Sequence, residues 1–409
     1  MQQLQEAKLA MREMQHITFE QKQQALQNIS QALLNNLDFI CKENAKDIQF
    51  AKDIGLSPAM IDRLLLSKER ITNMAHDVKK VIALEDPIGE VVREINHTNG
   101  MRIEQVRVPL GVIGIIYESR PNVTVDIATL CLKTNNVCVL KGGKEAVHSN
   151  RALITVMKEA VGNIVPAHCI QLLETTKRED IDVLITSNDY IDVVIPRGGA
   201  GLIQHVVNHA TVPVIETGAG VCHLYVDCEA DVGKALAIAI NGKVQRPSVC
   251  NALETILVHQ EIAATYLPKL KTALDAYDTT IYGDKITQQY ILCEKATTQN
   301  YATEYGDCTV NIKVVTSINQ AIDHIYQYST KHSDCIVSAN KETCDLFLQS
   351  VDSACVYANA STRFSDGGQF GFGAEIGIST QKLHARGPLG LREITSCKYK
   401  IYGDGQIRN

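Results

Sequence analysis

Gly111-Val-Ile-Gly-Ile-Ile-Tyr117 is an apolar run that breaks into Glu118-Ser-Arg-Pro-Asn122, and Val137-Cys-Val-Leu140 breaks the same way into Lys141-Gly-Gly-Lys144. A short run of β-branched residues, then a turn, then a helical pattern marks a strand buried on both faces of a parallel sheet. The pattern recurs outward from here. Asp182-Val-Leu-Ile185 and Ile191-Asp-Val-Val-Ile195 read as further strands, the second ending at Pro196-Arg-Gly-Gly199. Val212-Pro-Val-Ile215 ends at Glu216-Thr-Gly-Ala-Gly220. Such repetition predicts an α/β sheet with helices on both faces. Ligands of these sheets bind beyond the carboxyl ends of the strands, where the Gly-rich turns lie. A second α/β unit begins near His223-Leu-Tyr-Val-Asp227. It runs through Leu253-Glu-Thr-Ile-Leu-Val258 and Asp334-Cys-Ile-Val-Ser338 to Cys355-Val-Tyr-Ala358.

Upstream, residues 2–85 read as helical. Ala25, Ile29, Leu33 and Leu37 recur every four residues, the spacing of one helix face. Thr18 with Gln21 is a capping box, and Ser57-Pro58 opens another helix. From residue 88 the period changes to two. Val91-Val-Arg-Glu-Ile95 and Ile103-Glu-Gln-Val-Arg-Val108 flank Asn99-Gly100, a strong hairpin turn. This hairpin has little to fold back on and reads as an arm. The tail, Glu393 to Tyr402, alternates again and suits an edge or arm strand.

Composition bounds what the chain does. Its 409 residues suggest two or three domains, and 45% apolar with 21% charged residues is globular. A net charge of -6 lacks the basic footprint of a nucleic-acid binder. No run approaches the roughly 20 apolar residues of a membrane span. The polar start Met1-Gln-Gln-Leu-Gln-Glu-Ala-Lys8 has no signal-peptide core, so the expected location is cytoplasmic. Thirteen cysteines, an odd number with no Cys-x-x-Cys pair, do not read as a disulfide framework or a four-cysteine zinc site. Most should be small buried hydrophobes in a reducing compartment.

Several residues carry chemistry. In Gln245-Arg-Pro-Ser-Val-Cys250-Asn-Ala, Ser248 is expected to cap a helix that begins at Val249-Cys250. A helix start and a nearby cation, here Arg246, both favour thiolate over thiol at Cys250. Asn122 follows a strand end, where a side-chain amide can donate to a developing oxyanion or cap the next helix. Lys141-Gly142-Gly143-Lys144 and Gly198-Gly199 suit phosphate or ribose contacts, or are ordinary glycine turns. His205 and His209 are four apart, but Val206 takes the place of a zinc peptidase's glutamate and no third ligand is evident, so no metal is expected. The Gly-rich loop Thr362 to Glu375 is costly to order unless it contacts something, and Arg363 within it suits a carboxylate or phosphate.

The order Gly111-Val-Ile-Gly, Asn122, Lys141-Gly-Gly, Glu216-x-Gly-x-Gly, Cys250 and Glu304 resembles the aldehyde dehydrogenase superfamily. More closely it is similar to the γ-glutamyl phosphate reductase family. The segments that carry this likeness are Val108 to Asp126, Gln245 to Thr255, and Phe364 to Leu391 with His384-Ala-Arg-Gly-Pro388. The resemblance implies an aldehyde dehydrogenase-like fold of two Rossmann-like α/β domains and a β-hairpin oligomerisation arm. Residues 1–89 with 109–217 would be the dinucleotide-binding domain, 218–388 the catalytic domain, and 90–108 with 389–409 the arm. It implies Cys250 as nucleophile and Asn122 as oxyanion donor. Lys141, Gly142, Gly143, Lys144, Gly198, Gly199 and Glu304 would hold NADP(H), with Lys144 at the 2′-phosphate. Arg120, Arg246 and Arg363 are the implied substrate contacts, for L-glutamyl 5-phosphate. Glu216 matches the water-activating glutamate of hydrolytic relatives, a role expected to lapse when phosphate exchanges with the thioester. The implied assembly is a homodimer or homotetramer, and glutamate 5-kinase is the implied functional partner.

Overall fold

A computed structural model describes residues 1–173 and 179–408. The chain divides into two compact units. The first comprises 1–217, 371–377 and 389–409; the second comprises 218–370 and 378–388.

Unit one opens with five helices: α1 (Gln2–Met14), α2 (Phe19–Asn35), α3 (Leu37–Asp53), α4 (Pro58–Leu64) and α5 (Lys68–Ala83). The capping box forms as expected, with Thr18 Oγ1 accepting from the Gln21 amide and the Gln21 side chain accepting from the Thr18 amide. Ser57 caps α4, with Pro58 at its first position. The four-residue stripe holds for Ala25, Ile29 and Leu33, all buried on α2. Leu37 does not continue it, because the helix breaks at Asn36 and Leu37 starts α3.

Strands β1 (Val91–Asn96) and β2 (Arg102–Pro109) form the hairpin. Gly100 takes φ 90°, a left-handed value that a turn of this kind asks of glycine. The tail strand Thr395–Tyr402 pairs antiparallel with β2 along its length, giving a three-stranded sheet. Next come β3 (Val112–Tyr117), α6 (Asn122–Lys133), β4 (Val137–Lys141), α7 (Val147–Val161), β5 (Ile170–Leu172), α8 (Glu179–Thr186), β6 (Val193–Arg197) and α9 (Ala200–His209). The four strands make a parallel sheet in the order β5-β4-β3-β6. Every residue of β3 and β4 is buried, which is why those two runs read as unbroken hydrophobic stretches.

Two expected strands are not strands. Residues 182–185 lie in α8, where Ile181, Leu184 and Ile185 are buried at helical spacing and Glu179, Asp180 and Asp182 favour the amino-terminal end of the dipole. Residues 212–215 contribute one bridge, Val194 to Val214, because Pro213 has no amide to extend a ladder.

Unit two contains β7 (Cys222–Val226), α10 (Val232–Val244), β8 (Leu253–His259), α11 (Gln260–Asp275), β9 (Thr280–Gly283), β10 (Glu294–Lys295), β11 (Thr309–Val315), β12 (Ser333–Val337) and β13 (Cys355–Ala358). These strands form one parallel sheet in the order β10-β9-β11-β8-β7-β12-β13. Alternate residues feed alternate faces, as a strand's two-residue period requires. Leu224, Ile256 and Val258 pack with Ala239, Tyr266, Leu267 and Leu270 on one face. Tyr225, Leu257 and Ile336 pack with Ile325 and Phe347 on the other. Two-sided burial makes β7, β8 and β12 legible in the sequence, whereas β11 is interrupted by Asn311 and Lys313.

Candidate active site

Cys250 sits half-buried in a turn between α10 and β8. The helix expected to begin at Val249-Cys250 does not form. Strand β8 starts at Leu253, so only Asn251 and Ala252 separate the cysteine from extended chain. The Ala252 amide closes a single turn on the Val249 carbonyl at 3.0 Å. The helix start that was expected to favour the thiolate is therefore not present at Cys250.

That turn is held by distant segments of the same unit. A side chain at Gly220 would place its Cβ 1.4 Å from the Cys250 carbonyl oxygen, so only glycine lets this backbone approach. The Gly220 amide donates to Glu304 Oε1 at 3.0 Å. Cys222 Sγ donates to the Cys250 carbonyl at 3.2 Å. Burial pushes the Cys222 thiol well above its ordinary range, and Asp334, Cys250 and Glu254 add to the effect. Cys222 is thereby kept a neutral donor. On the other side, Asn251 Nδ2 donates to the Ser365 carbonyl at 2.9 Å, and Thr362 Oγ1 donates to the Asn251 carbonyl at 2.7 Å. Arg363 Nε donates to Gln245 Oε1 at 2.9 Å, and its Nη1 donates to Asn251 Oδ1. Arg246, the cation expected beside the cysteine, is exposed.

In unit one the expected binding residues gather at the carboxyl edge of the four-stranded sheet. Asn122 opens α6 just after β3. It is not the helix cap, a position taken by Pro121; its Nδ2 donates to Asp126 Oδ2 at 3.0 Å, one turn along. Burial pushes Asp126 up to about 7, with Asp77 adding to the rise and Asn122 and Arg197 opposing it. Half-buried Arg120 lies in the turn before α6. Ser119 there adopts φ 47°, held by its amide and hydroxyl donating to Glu145 Oε1 at 2.7 and 2.9 Å. Glu118 Oε2 accepts from the Gly199 amide at 3.1 Å, tying this turn to the start of α9.

Lys141, at the end of β4, is buried, and its Nζ donates to the Gly142 carbonyl at 3.1 Å. Burial lowers its affinity for the proton, opposed by Asp180 and Glu145. Next to it is a small, half-open cleft lined by Gly142, Gly143, Val147, Asn150, Arg151 and two leucines. A Cβ on Gly142 would lie 2.1 Å from Asn150 Nδ2. The cation lining this cleft is Arg151; Lys144 is exposed and is not among these lining residues.

Other candidates resolve differently. His205 Nε2 contacts Asp182 Oδ1 at 2.7 Å, His209 Nδ1 contacts the His205 carbonyl at 2.8 Å, and the two rings stack. Donor atoms of Cys228, His259 and Glu261 do lie within 4.8 Å of one another, at the far end of β7 and β8 from Cys250. There His259 Nδ1 accepts from the Glu261 amide and caps α11. Of the thirteen cysteines, seven are buried and six half-buried, and among the described residues none is in a disulfide.

The profile of the aldehyde dehydrogenase family matches residues 2–293. A gamma-glutamyl phosphate reductase of Moorella thermoacetica is 54% identical over 389 residues, covering 95% of this chain and 93% of that protein. One from Enterococcus faecalis is 52% identical over 394 residues, covering 95% and 94%. The crystal structure of a gamma-glutamyl phosphate reductase from Thermotoga maritima matches with a TM-score of 0.97 at 42% identity, covering 100% of this chain and 99% of that one. At 14% identity, an acetylating aldehyde dehydrogenase from Geobacillus thermoglucosidasius shares the fold, with a TM-score of 0.73 over 100% and 97% of the two chains. The chain belongs to the aldehyde dehydrogenase family and, within it, to the gamma-glutamyl phosphate reductases. Among the described residues no helix is long and apolar enough to cross a membrane.

Proposed function

We propose that this chain reduces L-glutamyl 5-phosphate to L-glutamate 5-semialdehyde with release of phosphate, the second step of proline biosynthesis from glutamate. The observation that carries this reading is identity above 50% to named reductases over at least 93% of their length.

The chemistry assigned to the chain runs through Cys250. Its thiolate attacks the acyl carbon of the mixed anhydride, and the carbonyl electrons move onto oxygen. Asn122 and the Cys250 amide donate to that oxyanion. The oxyanion collapses, the carbon–oxygen bond to phosphate breaks, and a thioester on Cys250 remains, so one hard step becomes two easier ones. A bound reduced nicotinamide supplies the hydride that takes this carbon to the aldehyde level. The carbon–sulfur bond then breaks, releasing aldehyde and thiolate. Glu216 has no part in this scheme, because phosphate rather than water is the partner of the thioester.

Residues 1–89 and 109–217 are assigned to dinucleotide binding, 218–388 to catalysis, and 90–108 with 389–409 to an oligomerisation arm. Lys141, Gly142, Gly143, Gly198 and Gly199 would hold NADP(H), Lys144 its 2′-phosphate, and Glu304 the nicotinamide ribose. Arg120, Arg246 and Arg363 would contact the substrate's phosphate and α-carboxylate. Val91, Val92, Tyr399, Ile401 and Tyr402 are exposed on the hairpin sheet, which supports a homodimer or homotetramer built on that sheet. Light scattering at a monomer mass would remove this proposal. The expected location is the cytoplasm. Glutamate 5-kinase is the expected upstream partner, because an acyl phosphate is short-lived in water.

The test is the reverse reaction: phosphate-dependent reduction of NADP⁺ with glutamate 5-semialdehyde, on wild type and Cys250→Ala. Wild type should turn over only with phosphate present, and the variant should lose activity by several orders of magnitude. Turnover retained by Cys250→Ala would end the nucleophile assignment. Equal kcat/KM for NAD⁺ and NADP⁺ would end the one for Lys144.

A further inference from the structure

We infer that Arg363 is the positioning residue of Cys250, holding the cysteine turn from both sides and favouring its thiolate form. This rests on the reading of Cys250 as nucleophile and replaces a direct substrate contact as the first role of Arg363. Gln245 and Asn251 bracket Cys250 in the chain, one five residues before it and one immediately after. Arg363 bonds both through two different edges of its guanidinium, Nε to Gln245 and Nη1 to Asn251. The main chain around Arg363 is fastened to the same turn, by Thr362 Oγ1 on the Asn251 carbonyl and by Asn251 Nδ2 on the Arg363 and Ser365 carbonyls. The guanidinium therefore cannot shift without moving the residue next to the nucleophile.

Both acceptors are neutral amide oxygens. They fix the guanidinium without neutralising it, in an electrostatic neighbourhood that includes the Cys250 thiol and the Asp366 carboxylate. The charged and titratable groups around it are Arg246, Cys250, Asp366 and Cys222. Burial lowers the proton affinity of Arg363 and Arg246 lowers it further, whereas Cys250, Asp366 and Cys222 raise it. An arginine stays protonated at neutral pH despite such a shift. Reciprocity of the Arg363–Cys250 interaction means that the cation favours the Cys250 anion. Cys222, with its thiol pushed up, remains neutral and donates to the Cys250 carbonyl. With no helix beginning at Cys250, Arg363 fills the part that a helix dipole plays at other reactive cysteines.

The experiment is the pH dependence of Cys250 alkylation by iodoacetamide in the full chain without substrate, read by peptide mass mapping. Wild type, Arg363→Met, Arg363→Lys and Arg246→Met are compared. Arg363→Met should raise the alkylation midpoint by about one pH unit and slow the reaction near pH 7 about threefold, since a more basic thiolate is also a better nucleophile. Arg363→Lys keeps the charge but not the fork and should recover part of the shift. Arg246→Met should move the midpoint less than Arg363→Met. An unchanged midpoint in both Arg363 variants, with turnover nevertheless lost, would place Arg363 on the substrate and overturn the inference. If Arg363→Met does not fold, Arg363→Gln takes its place, and an unchanged midpoint in that uncharged variant counts against the inference. Failure of the nucleophile reading itself is a separate result, seen as activity retained by Cys250→Ala.

Discussion

The Cys250 turn and the Asn122 turn are both short connections beside a parallel strand, yet they are built by opposite means. Asn122 stands in the first turn of a regular helix, and its amide is oriented by Asp126 four residues on. Cys250 stands in no helix, and the groups that fix it come from Gly220, Cys222 and the 362–365 segment. An amide donor needs direction, and the geometry of one helical turn supplies that locally. A nucleophile, the role proposed for Cys250, needs a compensating charge as well as a fixed backbone, and its backbone is fixed by segments remote in sequence.

Removing each turn's functional element should separate the two kinds of support. Asn122→Ala should lower turnover by a factor of about 10²–10³, the usual loss for one oxyanion donor. It should leave the alkylation midpoint of Cys250 where it was, because the substitution removes no charge. A loss below about threefold would remove Asn122 from the reaction. Gly220→Ala attacks the other turn. Its new Cβ would lie 1.4 Å from the Cys250 carbonyl oxygen and 2.4 Å from the carbonyl carbon, both backbone atoms that cannot rotate away. The turn has to move, and a displacement near 1 Å at a reacting group costs on the order of a hundredfold in rate. Unlike Asn122→Ala, this substitution should also change the alkylation profile. Wild-type alkylation with low turnover would mean that Gly220 acts elsewhere than on the cysteine.

The same contrast explains what was legible in the sequence. The runs Val112–Tyr117, Val137–Lys141 and Leu253–His259 announced themselves because both faces of each strand are buried. The capping box at Thr18 and the start of α4 at Ser57 were legible because their signals are complete within four residues. Residues 182–185 misled because four consecutive residues cannot separate a two-residue from a 3.6-residue period, and the buried set Ile181, Leu184 and Ile185 needs a wider window. At the site, Asn122 and Asp126 share a helix face, a spacing that could have been read in advance. The bonds from Arg363 to Gln245 and Asn251 span more than a hundred residues, and no local rule announces them. Likewise Arg151, a turn into α7, meets the Gly142-Gly143 loop only through the fold.

The smallest effect expected is that of Asp126→Asn, which asks whether the Asn122 turn needs a charge at all. Burial pushes Asp126 up to about 7, whereas an unfolded aspartate titrates near 3.8. Between those values the folded chain keeps a proton that the unfolded chain has released. The group's stabilising contribution is therefore full below about pH 4 and is lost as pH rises through about 7. Asparagine has no proton to lose and still offers a carbonyl oxygen to Asn122 Nδ2. Wild type should consequently fall in melting temperature relative to Asp126→Asn as pH goes from 5 to 8, while turnover at neutral pH changes by less than about threefold. Thermal unfolding of both proteins across that range tests the first part. A gap that stays flat with pH would mean that Asp126 is already ionised in the folded chain at pH 5. A turnover loss as large as that of Asn122→Ala would mean that the amide requires an anion, and the two turns would then share a dependence on charge.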